Sequence, residues 1–325
     1  MGFGLAALVA IFAVAASMGD WPLRAAAAET IPIDARAVPL DASDPERSRV
    51  GRLEYRGGLQ LSSPDPRFGG FSGLLVSDDG ARLIAISDEG WLLTGRLVED
   101  AGGRLIGLAD GKLAAVRADD GSPLGGSAKS EADAESLTTD ADGGLLVGFE
   151  RHHRILRYPA TDAAAQPVAA PPGLDAAPEN EGLETLARLQ DGRLLALTEG
   201  LAAPGGIVGW DGGPGDWRRL TWVTSQGFAP TDATALPGTD VLVLERRFPP
   251  PGARVRRIPT AAIVEGGVLG GDEIARFEGP LTVDNMEAIA ARPAADKSSI
   301  VYLLSDDNYN RVLQRTLLLM FRLLD

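Results

Sequence analysis

The sequence predicts an all-β chain, a single β-propeller of six four-stranded blades closed by its N- and C-terminal strands. Three observations predict it: a hairpin unit that recurs five times, 40 glycines and 22 prolines among 325 residues, and no long stretch with helical periodicity. A two-sheet sandwich is the other arrangement that such short strands permit.

Each unit is a short apolar strand opened by polar or acidic residues, a turn, and a second strand ending in an acid. The five run from Phe71 to Gly90, Asp133 to Arg151, Asn180 to Gly200, Thr231 to Arg247 and Asp284 to Asn308. Asp79-Gly80, Asp142-Gly143, Asp191-Gly192 and Pro237-Gly238 are hairpin turn signals between β-forming residues. Pieces such as WLLTGRL, RILRYP, GIVGW and RVRRIP follow the hairpins and extend them towards four strands. Dividing about 295 residues by roughly 45 to 50 per blade gives six blades. The sixth is expected to pair strands around Val50 to Leu61 with Arg311 to Leu324, so that no sheet edge stays open.

The propeller is therefore set at residues 49–325. Ahead of it, the apolar stretch from Phe3 to Ser17 and the small residues Ala25 to Ala28 read as a signal peptide over residues 1–28. Residues 29–48, with Pro32, Pro39 and Pro45, read as an irregular lead-in. The expectation is an exported protein, periplasmic or extracellular, monomeric, with no stable membrane insertion after signal cleavage.

Lys and Arg number 31 against 45 Asp and Glu, a formal charge of −14, which argues against nucleic acid or anionic membrane as a partner. There is no cysteine, and His152 and His153 are the only histidines. Disulfides, thiol chemistry and cysteine- or histidine-rich metal sites are thereby excluded. Any metal must sit on oxygen.

In an antiparallel hairpin the start of the first strand and the end of the second lie at the same end. The acids occupy those places. Asp133 and Glu135 face Glu150, Glu181 and Glu184 face Glu199, and Asp232 faces Glu245. Asp284 and Glu287 face Asp306 and Asp307, while in the first unit Ser72 stands in for the opening acid and leaves Asp88 and Glu89. If the hairpins are the inner strands of successive blades, ring closure gathers these groups at one mouth of the channel. Carboxylates so gathered repel unless protons or a cation neutralise them. Hard cations with six to eight oxygen ligands, Ca²⁺ above all, suit such a cage.

Basic residues accompany the acids. Arg151 follows Glu150, and Arg246 and Arg247 follow Glu245; each arginine either grips an anionic ligand or pairs with acids across the ring. His152 or His153 either serves in proton transfer or lies on the surface. Ser72, in GGFSGLL, lacks the surroundings of a hydrolase nucleophile.

The segments GGFSGLL…AISDEG, DAESL…GGLLVGFERHHRILRY, NEGLETLARLQDGRLLALTEG, PTDATAL…VLVLERRF and DNMEAIA…YLLSDDNYNRVLQRTLLLMF resemble the exported phytase-like proteins, known for an esterase-like activity of phytase, from Phe68 to Leu323. The resemblance implies a phytase-type propeller, a Ca²⁺-dependent acidic site and hydrolysis of a small phosphorylated or ester substrate. On that reading Glu150, Glu199, Glu245 and His152 are the catalytic candidates. Arg151, Arg246 and Arg247 bind substrate, and the remaining acids named above hold metal. A non-catalytic propeller, stabilised by Ca²⁺ and binding a glycan, lipid headgroup or protein, is the alternative, since one fold serves many functions.

Overall fold

The structure is a computed structural model in which residues 28–324 are described. Of the expected signal segment only Ala28 falls within them. The described residues form five β-sheets arranged as blades, with almost no helix.

The recurring hairpins supply the two innermost strands of every blade. Their inner strands, Phe71–Val76, Ala134–Thr139, Leu183–Arg188, Ala229–Ala235 and Asn285–Pro293, pack in sequence around a central channel, and the last packs against the first. Gly80, Gly143 and Gly192 turn three of the hairpins with φ of 71°, 83° and 89°, a backbone region that costs glycine little. Trp91–Glu99 and Leu105–Ala115 complete blade one, Arg154–Tyr158 and Gln166–Val168 blade two, Gly206–Gly212 and Arg218–Trp222 blade three, and Gly252–Pro259 and Asp272–Glu278 blade four.

Five blades form, not six. The terminal segments do pair, Thr316–Leu323 with Leu53–Ser62, but they do so on hairpin five, where Phe321 lies opposite Val301. The reason is that hairpin five brings only two strands of its own. A separate sixth blade would leave it two-stranded, with apolar faces uncovered. The C-terminal strand and the N-terminal strand therefore become its third and fourth, closing the ring from both chain ends. The lead-in is not irregular throughout: Glu29–Thr30 extends blade one and Asp34–Ala37 extends blade five.

Alternation along the strands buries apolar side chains on both faces of each blade. Five apolar clusters result, one at each junction between neighbouring blades. Phe277 and Phe321 meet edge to face at 5.4 Å between blades four and five, and Trp222 is wholly buried between blades three and four. At about 1.5–3 kcal/mol for each fully buried large side chain, these junctions dominate the stability of the ring.

An inner strand is also a sheet edge, with backbone groups unpaired on the channel side. Side chains of the neighbouring blade satisfy them. Thr138 Oγ1 accepts from Arg188 N at 3.0 Å, Thr234 Oγ1 accepts from Ala291 N at 3.2 Å, and Asp232 Oδ2 accepts from Ile289 N at 2.9 Å.

Candidate metal centre at the channel mouth

The site begins with a defect in the hairpins. All five inner pairs slip register near the start of the inner strand, leaving one residue without a cross-strand partner: Ser72, Glu135, Glu184, Thr231 and Glu287. A β-bulge of this kind re-aims the unpaired side chain. In four of the five blades that side chain lines a cavity of about 220 Å³ at the mouth, Thr231 being the exception. A second ring, one step past the residues that close the bulges, comes from the ends of the second strands: Asp88, Glu150, Glu199, Arg246 and Asp306.

The bulge corrects the sequence reading of blade four. Glu245 pairs with Pro230, which makes it the counterpart of Ser87, Phe149, Thr198 and Ser305, not of Glu150. One step along a strand changes the face. Arg246 therefore takes the mouth position, while Glu245 is fully buried inside the blade against Arg254, Arg256 and Trp222 Nε1, the last at 2.7 Å. Likewise Thr231 holds the bulge, and Asp232 is buried as a backbone acceptor.

Eight of the expected acids line the cavity. Asp133, Glu135 and Glu150 each place a carboxylate oxygen within 4.8 Å of the others, a set that could hold a metal ion. Glu184, Glu199, Glu287, Asp88 and Asp306 complete the wall. Burial pushes Glu135, Glu184 and Asp306 well above the usual carboxylate range, and neighbouring acids push them further. Burial likewise raises Glu150 and Glu287 to about 7, against the pull of Gly182 N–H on Glu150 and of Arg246 on Glu287. The neighbouring charges of Glu135 and Glu150 add to the effect of burial on Glu184. Without a cation the mouth therefore retains protons.

Three cations meet this wall. Arg246 reaches Glu287 at 2.9 Å and Glu199 at 3.2 Å, and Arg151 Nε donates to Asp133 Oδ2 at 2.6 Å. Lys129 Nζ donates to Asp88 Oδ2 at 2.7 Å. Asp88 is nonetheless raised, because its burial outweighs the ion pair. Sequence reasoning missed Lys129, and also Asn180 and Asn308 on the cavity wall. Asn180 and Asn308 are end residues of two repeat units, where only the acids had been singled out, and Lys129 lies outside the repeat; the one available signal for it was its four-residue spacing from Asp133, where the two approach to 3.6 Å.

The other expected site residues are placed elsewhere. Glu89 and Glu181 are exposed. Asp284 accepts from Arg315 Nε at 3.1 Å, and Asp307 Oδ1 accepts from Gly70 N and Tyr309 N, each at 3.1 Å. Arg247 pairs with Glu278 at 2.9 Å and stacks over Phe228. His152 is exposed, with Nδ1 3.0 Å from Glu131, outside the cavity.

The sequence matches the phytase-like family, described by esterase-like activity of phytase, over residues 66–309. Comparison with curated proteins gives no sequence match. Among solved structures, a gluconolactonase from Xanthomonas campestris is 13% identical with a TM-score of 0.44, covering 90% of this chain and 97% of that one. A PQQ-bound aldose sugar dehydrogenase from Streptomyces coelicolor is 15% identical with a TM-score of 0.39, covering 90% and 98%. A luciferin-regenerating enzyme is 12% identical with a TM-score of 0.39, covering 79% and 93%.

Proposed function

Because the chain belongs to the phytase-like family, we propose that it is a Ca²⁺-dependent hydrolase of small phosphoric esters, exported and monomeric, working at the acidic mouth. The observation that carries this reading is the convergence of Asp133, Glu135 and Glu150 beside two guanidinium groups in one polar cavity. These three acids would hold the ion. The donor set suits a hard cation: it is all oxygen and anionic, and the buried Asp133 Oδ1 has no hydrogen-bond partner. When bound, Ca²⁺ would polarise an ester oxygen and lower the pKa of a bound water.

The protein's own groups do the rest. Arg246 is held by Glu199 and Glu287 through Nη2 and Nε. This fixes the plane of its guanidinium, and a fixed fork can orient a phosphate. Arg151, anchored on Asp133, flanks the same cavity. Glu184, raised by burial and by the neighbouring charges of Glu135 and Glu150, can hold a proton at its carboxyl group where an ordinary glutamate has lost it. Among the described residues no apolar side chain lines the cavity, which favours an oxygen-rich substrate over an ester with a hydrocarbon acid.

The test is phosphate release from a panel of phosphomonoesters in Ca²⁺ and in chelator, with Glu135→Gln alongside. Turnover is expected in Ca²⁺ only, with the variant reduced to the chelated level. Turnover indifferent to chelation, or none with any divalent cation, would contradict the proposal.

A further inference from the structure

We propose that Lys129 is a built-in counter-ion filling a second cation position of the ring, between Asp88 and Asp133, so that the protein takes up one divalent ion fewer than its carboxylates can hold. The inference rests on the metal reading above but concerns a different position.

Lys129 opens the helix Lys129–Ala132, the one α-helix among the described residues, in the connection between blades one and two. Its ammonium lies 2.7 Å from Asp88 Oδ2 and 3.6 Å from Asp133 Oδ1. Both aspartates are buried, at 6% and 2% exposure, and Asp88 Oδ1 and Asp133 Oδ1 have no hydrogen-bond partner. The backbone beside Asp88 leaves room for its other carboxylate oxygen. Gly70 has φ of 63°, and a Cβ there would collide with Asp88 Oδ1.

Blade one carries Ser72 at its bulge, so this part of the ring has no inner glutamate. Its negative charge comes instead from Asp88 and Asp133, with Asp306 of blade five close enough to interact with Asp88. Two buried carboxylates without a counter-charge are costly. Arg151 already neutralises Asp133 through Oδ2; the ammonium adds a positive charge between Asp88 Oδ2 and Asp133 Oδ1, which is what a hard cation would do there. The Lys129 side chain is 51% exposed, so its removal opens the position to solvent without emptying a core.

Ca²⁺ uptake by the full chain, measured by equilibrium dialysis for wild type, Lys129→Met and Lys129→Arg, tests this. Lys129→Met is expected to bind one equivalent more than wild type, and Lys129→Arg the wild-type number. Equal uptake by wild type and Lys129→Met would overturn the proposal. So would a loss of affinity for inorganic phosphate in Lys129→Met with ion uptake unchanged, which would make Lys129 an anion ligand. Uptake by Lys129→Met but none by wild type would support the counter-ion and overturn the metal reading, whereas uptake by neither would overturn both.

Discussion

Glu245 and Arg246 are adjacent in the chain and serve opposite ends of the molecule's economy of charge. Glu245 is buried and neutralises Arg254 and Arg256 within blade four, whereas Arg246 stands among the acids of the mouth. Glu245→Leu strands a buried guanidinium and should cost about 3–5 kcal/mol in chemical denaturation, with Ca²⁺ uptake by the folded fraction unchanged. Lost uptake without lost stability would return Glu245 to the site. The mouth acids also set a pH dependence. Glu150 and Glu287 keep protons to about pH 7, while an unfolded glutamate loses its proton at about 4.3. The folded metal-free protein thus binds more protons than the unfolded chain across that window, and its stability falls as pH rises through it. Denaturation midpoints in chelator should decline from pH 5 to 8, and saturating Ca²⁺ should flatten the decline; a rising profile in chelator would contradict this.

The hairpin is where most of the molecule could be read in advance. The shared pattern of strand, turn and closing acid located all five inner pairs, with Asp-Gly turns in three and Pro-Gly in a fourth, and the convergence of Asp133, Glu135 and Glu150 followed from their places in one hairpin. The bulge was not legible from alternation, because it adds a residue without changing composition. With the bulge known, FSGL, AESL, LETL, PTDA and MEAI align and put Thr231, not Asp232, beside the glutamates. Lys129 was illegible for another reason: it reaches the mouth from a connection outside the repeat. Asp232 itself ties blade four to blade five by accepting from Ile289 N. Asp232→Ala should leave buried N–H groups unsatisfied and cost about 1–3 kcal/mol by thermal or chemical denaturation, with ion uptake intact. A neutral effect on stability would remove this side chain from the account of ring closure.

At the scale of the whole molecule, the count of six blades failed because length arithmetic gave the terminal strands a blade of their own. Packing gives them to hairpin five. A chain truncated after Arg315 loses the strand that joins Leu53–Ser62 to Ser299–Asp306, and with it the clusters on both sides of blade five. It should show no cooperative unfolding transition; a truncated chain melting like wild type would refute closure by this strand. Ring closure also explains the charge balance. Of the excess that gives −14 overall, much is local to the mouth, where eight carboxylates meet three cationic side chains. Whether that excess is a cation site is most directly decided by anomalous diffraction from crystals soaked in Ca²⁺. A peak bounded by the carboxylates of Asp133, Glu135 and Glu150 is expected; no peak there at saturating Ca²⁺ would contradict the cation site.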